Sequence, residues 1–197
     1  MALRVNLGCG ADIREGFVNV DREKLPGVDV VANLDCAASD LCGATIVCLP
    51  FDDDSVELFL AVDLVEHIAH PLPLFQELWR CAMPGATIEM AMPYGGSDDA
   101  WMDPTHKRPW FVDSWTYLAQ PNYWKLDYGY TADWKVDLIV LEVADSDETD
   151  DQLLGRVMRE RNVVRRQYVA LSAVKPARPR DVDLLTGPPI RFRKVAQ

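Results

Sequence analysis

The chain has 197 residues, 49% of them apolar and 26% charged, with a formal net charge of −11. That length and apolar share suit a single folded domain and exclude a disordered chain. The acid excess argues against broad binding to nucleic acid, and no apolar run approaches the ~20 residues that span a membrane.

The opening segment, MALRVNLGCG, has an apolar run too short and too soon broken by glycine for a secretory signal. The five cysteines (Cys9, Cys36, Cys42, Cys48 and Cys81) include no C-x-x-C pair. Together these features predict reduced thiols, a cytoplasmic protein and no metal. LRVNL predicts a buried strand ending at Gly8. GFVNVD predicts a second strand, ending on Asp21, and GVDVVANLD a third, ending near Asn33 to Asp35. SVELFLAVDLVEHI contains a fourth, over Val56 to Val62. Leu74, Phe75, Leu78 and Ala82 recur at helical spacing, so Pro71 to Ala82 is a predicted helix. A Pro-Gly stop follows, then a fifth strand over Thr87 to Met92.

YGGSDDAWMDPTHKRPWF reads as a long loop, and loops of that length tend to be functional. VDSWTYLAQ predicts a short helix capped by Asp113 or Ser114. WKVDLIVLEV is a sixth strand, DDQLLGRVMRERN a helix and RQYVALSAVKP a seventh strand. From Pro176 the chain reads as an extended tail. From Arg156 onward basic residues exceed acidic ones by roughly eight, which reads as a solvated helix face or as a docking patch for an anionic partner. The alternation of strands and helices predicts an α/β sheet with an antiparallel pair at its far edge. Only Ala11 to Gly16 separate the glycine turn from the second strand, whereas a parallel crossover takes about a dozen residues. The first helix is therefore a single turn, or the second strand begins late.

Gly8-Cys9-Gly10 gives a backbone bare enough to approach a ligand. In nucleotide-binding α/β proteins ligands lie at the carboxyl ends of the strands, where this turn, Asp21 and Asn33 to Asp35 line up. A dinucleotide fingerprint, G-x-G-x-x-G, would need a third glycine where Ile13 stands, and an acid about twenty residues on. Pyrophosphate binding, and with it a nicotinamide-linked oxidoreductase, is the weaker reading.

VNLGCG, VNVD, LPFDDDSVELFLAVDLVEHI and LFQELWRCAMPGATIEMAMP, in that order, resemble the motifs of the class I S-adenosylmethionine-dependent methyltransferases. The likeness runs from Leu3 to Pro93. DPTHKRPWFVDSWTYL further resembles a small bacterial and phage-type branch with Asp-Pro-Thr-His before an aromatic helix. The resemblance implies a Rossmann-like, mostly parallel seven-stranded sheet whose last strand is antiparallel. It implies S-adenosyl-L-methionine as cofactor, with Gly8, Cys9 and Gly10 near its amino-acid part and Asn6 and Leu7 leading into them. Asp21 would bind the ribose hydroxyls, with Arg22 beside it. Asn33 and Leu34 would lie beside adenine, and Asp63 would face the methionine end. On this reading residues 1–175 form the methyltransferase domain, residues 94–134 a substrate-side loop or lid, and 176–197 the tail.

Methyl transfer to a hydroxyl also needs a base. The chain has three histidines. His106 lies in the aromatic loop with Asp103 placed to orient it, and serves as a base or as a clasp of a turn. Glu66 and His67 stand at the mouth of the fourth strand, either touching substrate or clamping the loop. These four residues could compose a metal site, but no H-x-x-x-H spacing supports one. His70 reads as a helix-entry residue. Tyr94, Trp101, Trp110, Phe111 and Trp115 form a substrate wall or pack a small second layer. The expected activity is methyl transfer to oxygen, or nitrogen, of a small or medium polar acceptor rather than nucleic acid or membrane. The alternatives are a nucleotide or nucleic-acid methyltransferase and a non-catalytic nucleotide-binding protein. Oligomeric state is not legible.

Overall fold

The computed structural model describes residues 2–35, 49–126 and 128–196, so Cys36, Cys42 and Cys48 lie outside the described residues. The strands are β1 (Leu3–Leu7), β2 (Val18–Asp21), β3 (Val30–Val31), β4 (Val56–Val62), β5 (Ala82–Pro93), β6 (Trp134–Ala144), β7 (Val164–Ala173) and β8 (Ile190–Val195). They form one sheet in the order β3-β2-β1-β4-β5-β7-β6-β8. Only β7 is reversed: it is antiparallel to both β5 and β6, while β6 and β8 are parallel. The expected mostly parallel α/β sheet is present. Among the described residues it has eight strands rather than seven, because part of the expected tail docks on β6 as β8.

Val5, Leu7, Val20, Phe59, Ala61, Ile88 and Met90 are buried strand residues that share a single core with Leu74, Phe75 and Leu78 of α1 (Pro71–Cys81). Pro71 opens α1, where its missing N–H leaves no bond unmade. The cap comes from a distance: Asp35 Oδ1 accepts the amides of Ala69 and His70 at 2.9 and 3.3 Å. Regular pairing of β5 with β4 starts at Thr87, beyond an irregularity that absorbs the Pro-Gly segment.

The crossover from β1 to β2 contains no helix. Residues 8–17 turn tightly, and side-chain amides do the work of a helix. Asn6 Nδ2 donates to Asp12 O and to Asn19 Oδ1, and Asn19 Oδ1 also accepts the Arg14 amide. The expected single helical turn is thus replaced by a knot of buried hydrogen bonds, and β2 begins at Val18.

Between β5 and β6 the chain forms α2 (Asp99–Met102) and two 3-10 turns, Val112–Leu118 and Gln120–Tyr123. The short helix expected at VDSWTYLAQ is present as a 3-10 helix; its N-cap is Phe111 rather than Asp113 or Ser114, with Ser114 Oγ accepting the Phe111 amide. Trp110 and Trp115 stack at 4.3 Å and are buried. The Trp115 indole donates to Gln167 Oε1 and that of Trp110 to Val65 O. With Tyr94 also buried, these aromatics pack a second layer; Trp101 and Phe111 are exposed. Asp133, fully buried, accepts from the Gln120 amide and from the amide and guanidinium of Arg178.

α3 (Asp150–Val157) begins with a capping box between Thr149 and Gln152. It ends at Val157, so the basic stretch after it is no helix face. Several late basic residues pair with acids of the body at the surface: Arg161 with Asp98, Arg165 with Asp99, Arg166 with Asp63 and Arg193 with Glu142. Among the described residues no helix is long and apolar enough to cross a membrane.

Candidate active site

A cavity of about 490 Å³ opens at the carboxyl ends of β1, β2 and β4. This is where strand order reverses, between β1 and β4, the position at which open α/β sheets take their ligands. A larger hollow of about 640 Å³, beside Asp99, Glu142 and Arg165, contains none of the residues singled out from the sequence. Chemistry is therefore sought in the smaller one.

One wall is built by strand ends. Gly8, Asp21, Arg22, Asn33, Leu34 and Asp63 all line it. Gly8 has φ +62°, and a Cβ there would stand 2.7 Å from Leu64 Cδ1, so the turn stays bare for steric and conformational reasons together. Asp21 holds the turn as well as facing the cavity: Oδ2 accepts the Gly10 amide at 2.8 Å, and Oδ1 accepts that of Glu23 at 2.9 Å. Asn33 Oδ1 accepts the Asp35 amide at 3.0 Å. Asp63, at φ +49°, is paired with Arg166 of β7 at 2.7 Å, so the reversed strand reaches the cavity mouth.

The opposite wall is His67 with Pro104, Thr105 and Lys107. Glu66 O accepts the amides of Lys107 and Arg108 at 2.7 and 3.2 Å, which binds this loop to the 3-10 turn Val65–His67. Asp103 Oδ1 accepts both the amide and the hydroxyl of Thr105 at 2.7 Å. Those two bonds hold the Asp103 carboxyl below its usual range. His67 Nδ1 lies 3.1 Å from Thr105 Oγ1 and 3.3 Å from Thr105 O. His106 sits behind the wall, with Nδ1 3.0 Å from Ala100 O, Nε2 3.8 Å from Asp103 Oδ2, and its ring edge-on to His67 at 4.8 Å.

Glu66 is buried, and neither of its carboxyl oxygens has a hydrogen-bond partner among the described residues. Burial pushes its pKa up to about 7, and nearby Asp63 pushes the same way.

Seven of the expected residues thus meet around one cavity: Gly8, Asp21, Arg22, Asn33, Leu34, Asp63 and His67. Asn6, Leu7, Cys9, Gly10, Glu66, Asp103 and His106 do not line it. Leu7 is core, Asn6 braces the crossover, and Cys9 is a buried thiol whose pKa burial pushes up. Glu66 and His106 meet behind the far wall instead. The sequence reading missed Leu64 and Ile68, which only their place just after the fourth strand could have signalled.

Residues 2–90 match a family described as a methyltransferase domain. No curated protein matches the chain. Among solved structures, an S-adenosylmethionine-dependent methyltransferase from Archaeoglobus fulgidus aligns over 87% of this chain and 86% of its own, with a TM-score of 0.55 and 15% identity. The fold is that of the S-adenosylmethionine-dependent methyltransferases. One such methyltransferase from Methanosarcina mazei gives a TM-score of 0.51 at 12% identity, covering 87% of this chain and 92% of that one. Another, from Thermotoga maritima and described as a possible histamine N-methyltransferase, gives 0.50 at 13% identity, with 87% and 82% covered.

The family match is to a methyltransferase domain, and the solved structures that share this fold are described as S-adenosylmethionine-dependent. The cavity fits that cofactor. Its volume lies in the ~300–1,000 Å³ range of small-molecule sites, one wall is bare backbone at Gly8, and a carboxylate stands at the end of β2.

Proposed function

We propose that this chain transfers a methyl group from S-adenosyl-L-methionine to an oxygen, or a nitrogen, of a small or medium polar acceptor. The observation that carries the reading is the two-walled cavity, with Gly8, Asp21, Asn33 and Asp63 facing His67, Thr105 and Lys107. The resemblance of residues 103–106 to the Asp-Pro-Thr-His branch supports the same reading.

Gly8 and the turn after it would hold the amino-acid part of the cofactor. Asp21 would accept the ribose hydroxyls, at about 1.5–3 kcal/mol per charge-assisted bond. Asn33 and Leu34 would flank adenine, and Asp63 the methionine end. When bound, the cofactor supplies a methyl group already activated on a sulfonium, so no nucleophilic side chain is required. What remains for the protein is to exclude water, to hold the acceptor ~3–3.5 Å from the methyl group and to take up a proton. For a hydroxyl acceptor that proton leaves toward the group formed by Glu66, His67 and His106. Asp103 sets this loop through Thr105. Arg161, Arg165, Arg166 and Arg193 are each neutralised by an acid of the same chain, which leaves less free positive charge for a polyanion and supports a small acceptor over nucleic acid.

Calorimetry decides the first step. S-adenosylmethionine should bind and NADH should not; comparable binding of NADH, or none of S-adenosylmethionine, overturns the reading. A labelled-methyl screen of hydroxyl and amine acceptors, against DNA and RNA at several salt concentrations, then identifies the substrate class. Methylation confined to nucleic acid would defeat the small-acceptor proposal.

A further inference from the structure

We infer that Glu66, His67 and His106 together form a binding site for one divalent transition-metal cation of the zinc type. One donor atom from each of the three lies within 4.8 Å of the others.

The hydrogen bonds around the cluster fix which nitrogen of each ring donates. A carbonyl only accepts, so the contact of His106 Nδ1 with Ala100 O makes that nitrogen the donor. The Thr105 hydroxyl donates to Asp103, so it accepts from His67 Nδ1, as does Thr105 O. In its neutral form each imidazole therefore carries its proton on Nδ1 and its lone pair on Nε2. This is how metal-ligating histidines are commonly held, with the other ring nitrogen tied to a carbonyl or a carboxylate-linked partner.

Glu66 is the independent observation. Its carboxyl group is buried, and both oxygens lack a hydrogen-bond donor among the described residues. The region thus gathers two nitrogen acceptors and a carboxylate with no donor between them. Such a set repels itself unless a proton or a metal cation sits within it. Two imidazoles and one carboxylate, without thiolate, suit zinc and its neighbours in the first transition series better than calcium or magnesium. A tetrahedral zinc ion with bonds of about 2.1 Å holds its ligands about 3.4 Å apart, so binding would draw the three atoms inward by about 1.5 Å at most. Because His67 also lines the cavity, the cation's open position would face the acceptor. There it would lower the pKa of an acceptor hydroxyl. That last consequence rests on the function proposed above; the binding site does not.

The test uses the full chain stripped with a chelator and titrated with Co²⁺ as a coloured stand-in for Zn²⁺. One equivalent should produce visible d–d absorption, and Zn²⁺ should displace it. Glu66→Gln and His106→Ala should each weaken binding at least tenfold, while His70→Ala, outside the cluster, should leave it unchanged. Glu66→Gln keeps the shape of the side chain, and circular dichroism verifies that it folds. No stoichiometric binding, or wild-type affinity in both cluster variants, overturns the inference; a proton shared by Glu66 with one imidazole would then account for the cluster. S-adenosylmethionine titrations on the same samples separate the two proposals, since either ligand can bind without the other.

Discussion

Asp21 uses one carboxylate for two purposes. It closes the glycine turn through Gly10 and faces the cavity. Asp21→Ala should weaken S-adenosylmethionine binding by roughly 1.5–3 kcal/mol, read by calorimetry, with a modest loss of thermal stability; unchanged affinity would remove it from the ribose role. Glu66 gives a pH-dependent signal of opposite sense to most carboxylates. Its folded pKa of about 7 lies above the ordinary carboxyl value of 4.5, so between those values the native state keeps a proton that the unfolded chain releases. Its contribution is complete below about pH 4.5 and is lost as pH rises through 7, amounting to about 3 kcal/mol. Urea unfolding at pH 5 and pH 8, with chelator present, should show wild type losing that much more than Glu66→Gln. Parallel pH profiles for the two would refute this account of Glu66. The place of Asp21 at the cavity was legible because the end of a strand beside a glycine turn lies where open α/β sheets take ligands; its bond to Gly10 was not. The environment of Glu66 was not, since it is set by the loop amides of Lys107 and Arg108 from forty residues further along.

At the scale of elements, the central strands and α1 could be read because their buried faces demand apolar runs of the right period. β4 falls over the expected Val56–Val62. The crossover after β1 misled, because an asparagine side chain can satisfy backbone groups that a helix would otherwise satisfy, and periodicity carries no trace of that. The short helix expected at VDSWTYLAQ is there as a 3-10 turn, its form fixed by tertiary partners such as Gln167 and Tyr130. The turn after it is held by a buried charge, Asp133, which accepts the Gln120 amide and pairs with Arg178. Asp133→Ala would leave the guanidinium and the Gln120 amide without their acceptor. Chemical denaturation should show a loss of about 3–5 kcal/mol, the usual effect of breaking a buried pair. A loss under about 1 kcal/mol would mean the pair behaves as an exposed one.

Across the whole molecule, the acidic excess and the basic C-terminal third are two halves of one arrangement, since the late arginines pair with earlier acids. β8 escaped the sequence reading because IRFRKV follows a glycine-proline segment and alternates charge, as edge strands do. A chain ending at residue 187 should fold, with a lower Tm and concentration-dependent association visible by light scattering, because β6 would become a long bare edge. An unchanged Tm and a monomeric profile would show that β8 adds nothing to the sheet.

The single reversed strand also dictates an order of events on the ribosome. β1 to β5 each meet a neighbour already synthesised or soon to follow, but β6 borders only β7 and β8, both of which emerge later. A nascent chain halted when residue 160 has just left the ribosome therefore holds β5 and β6 with the berth for β7 between them empty. Direct pairing of those two would be a trap that must reopen before β7 can enter. Limited proteolysis of such arrested chains should find residues 134–160 cleavable while the first five strands resist.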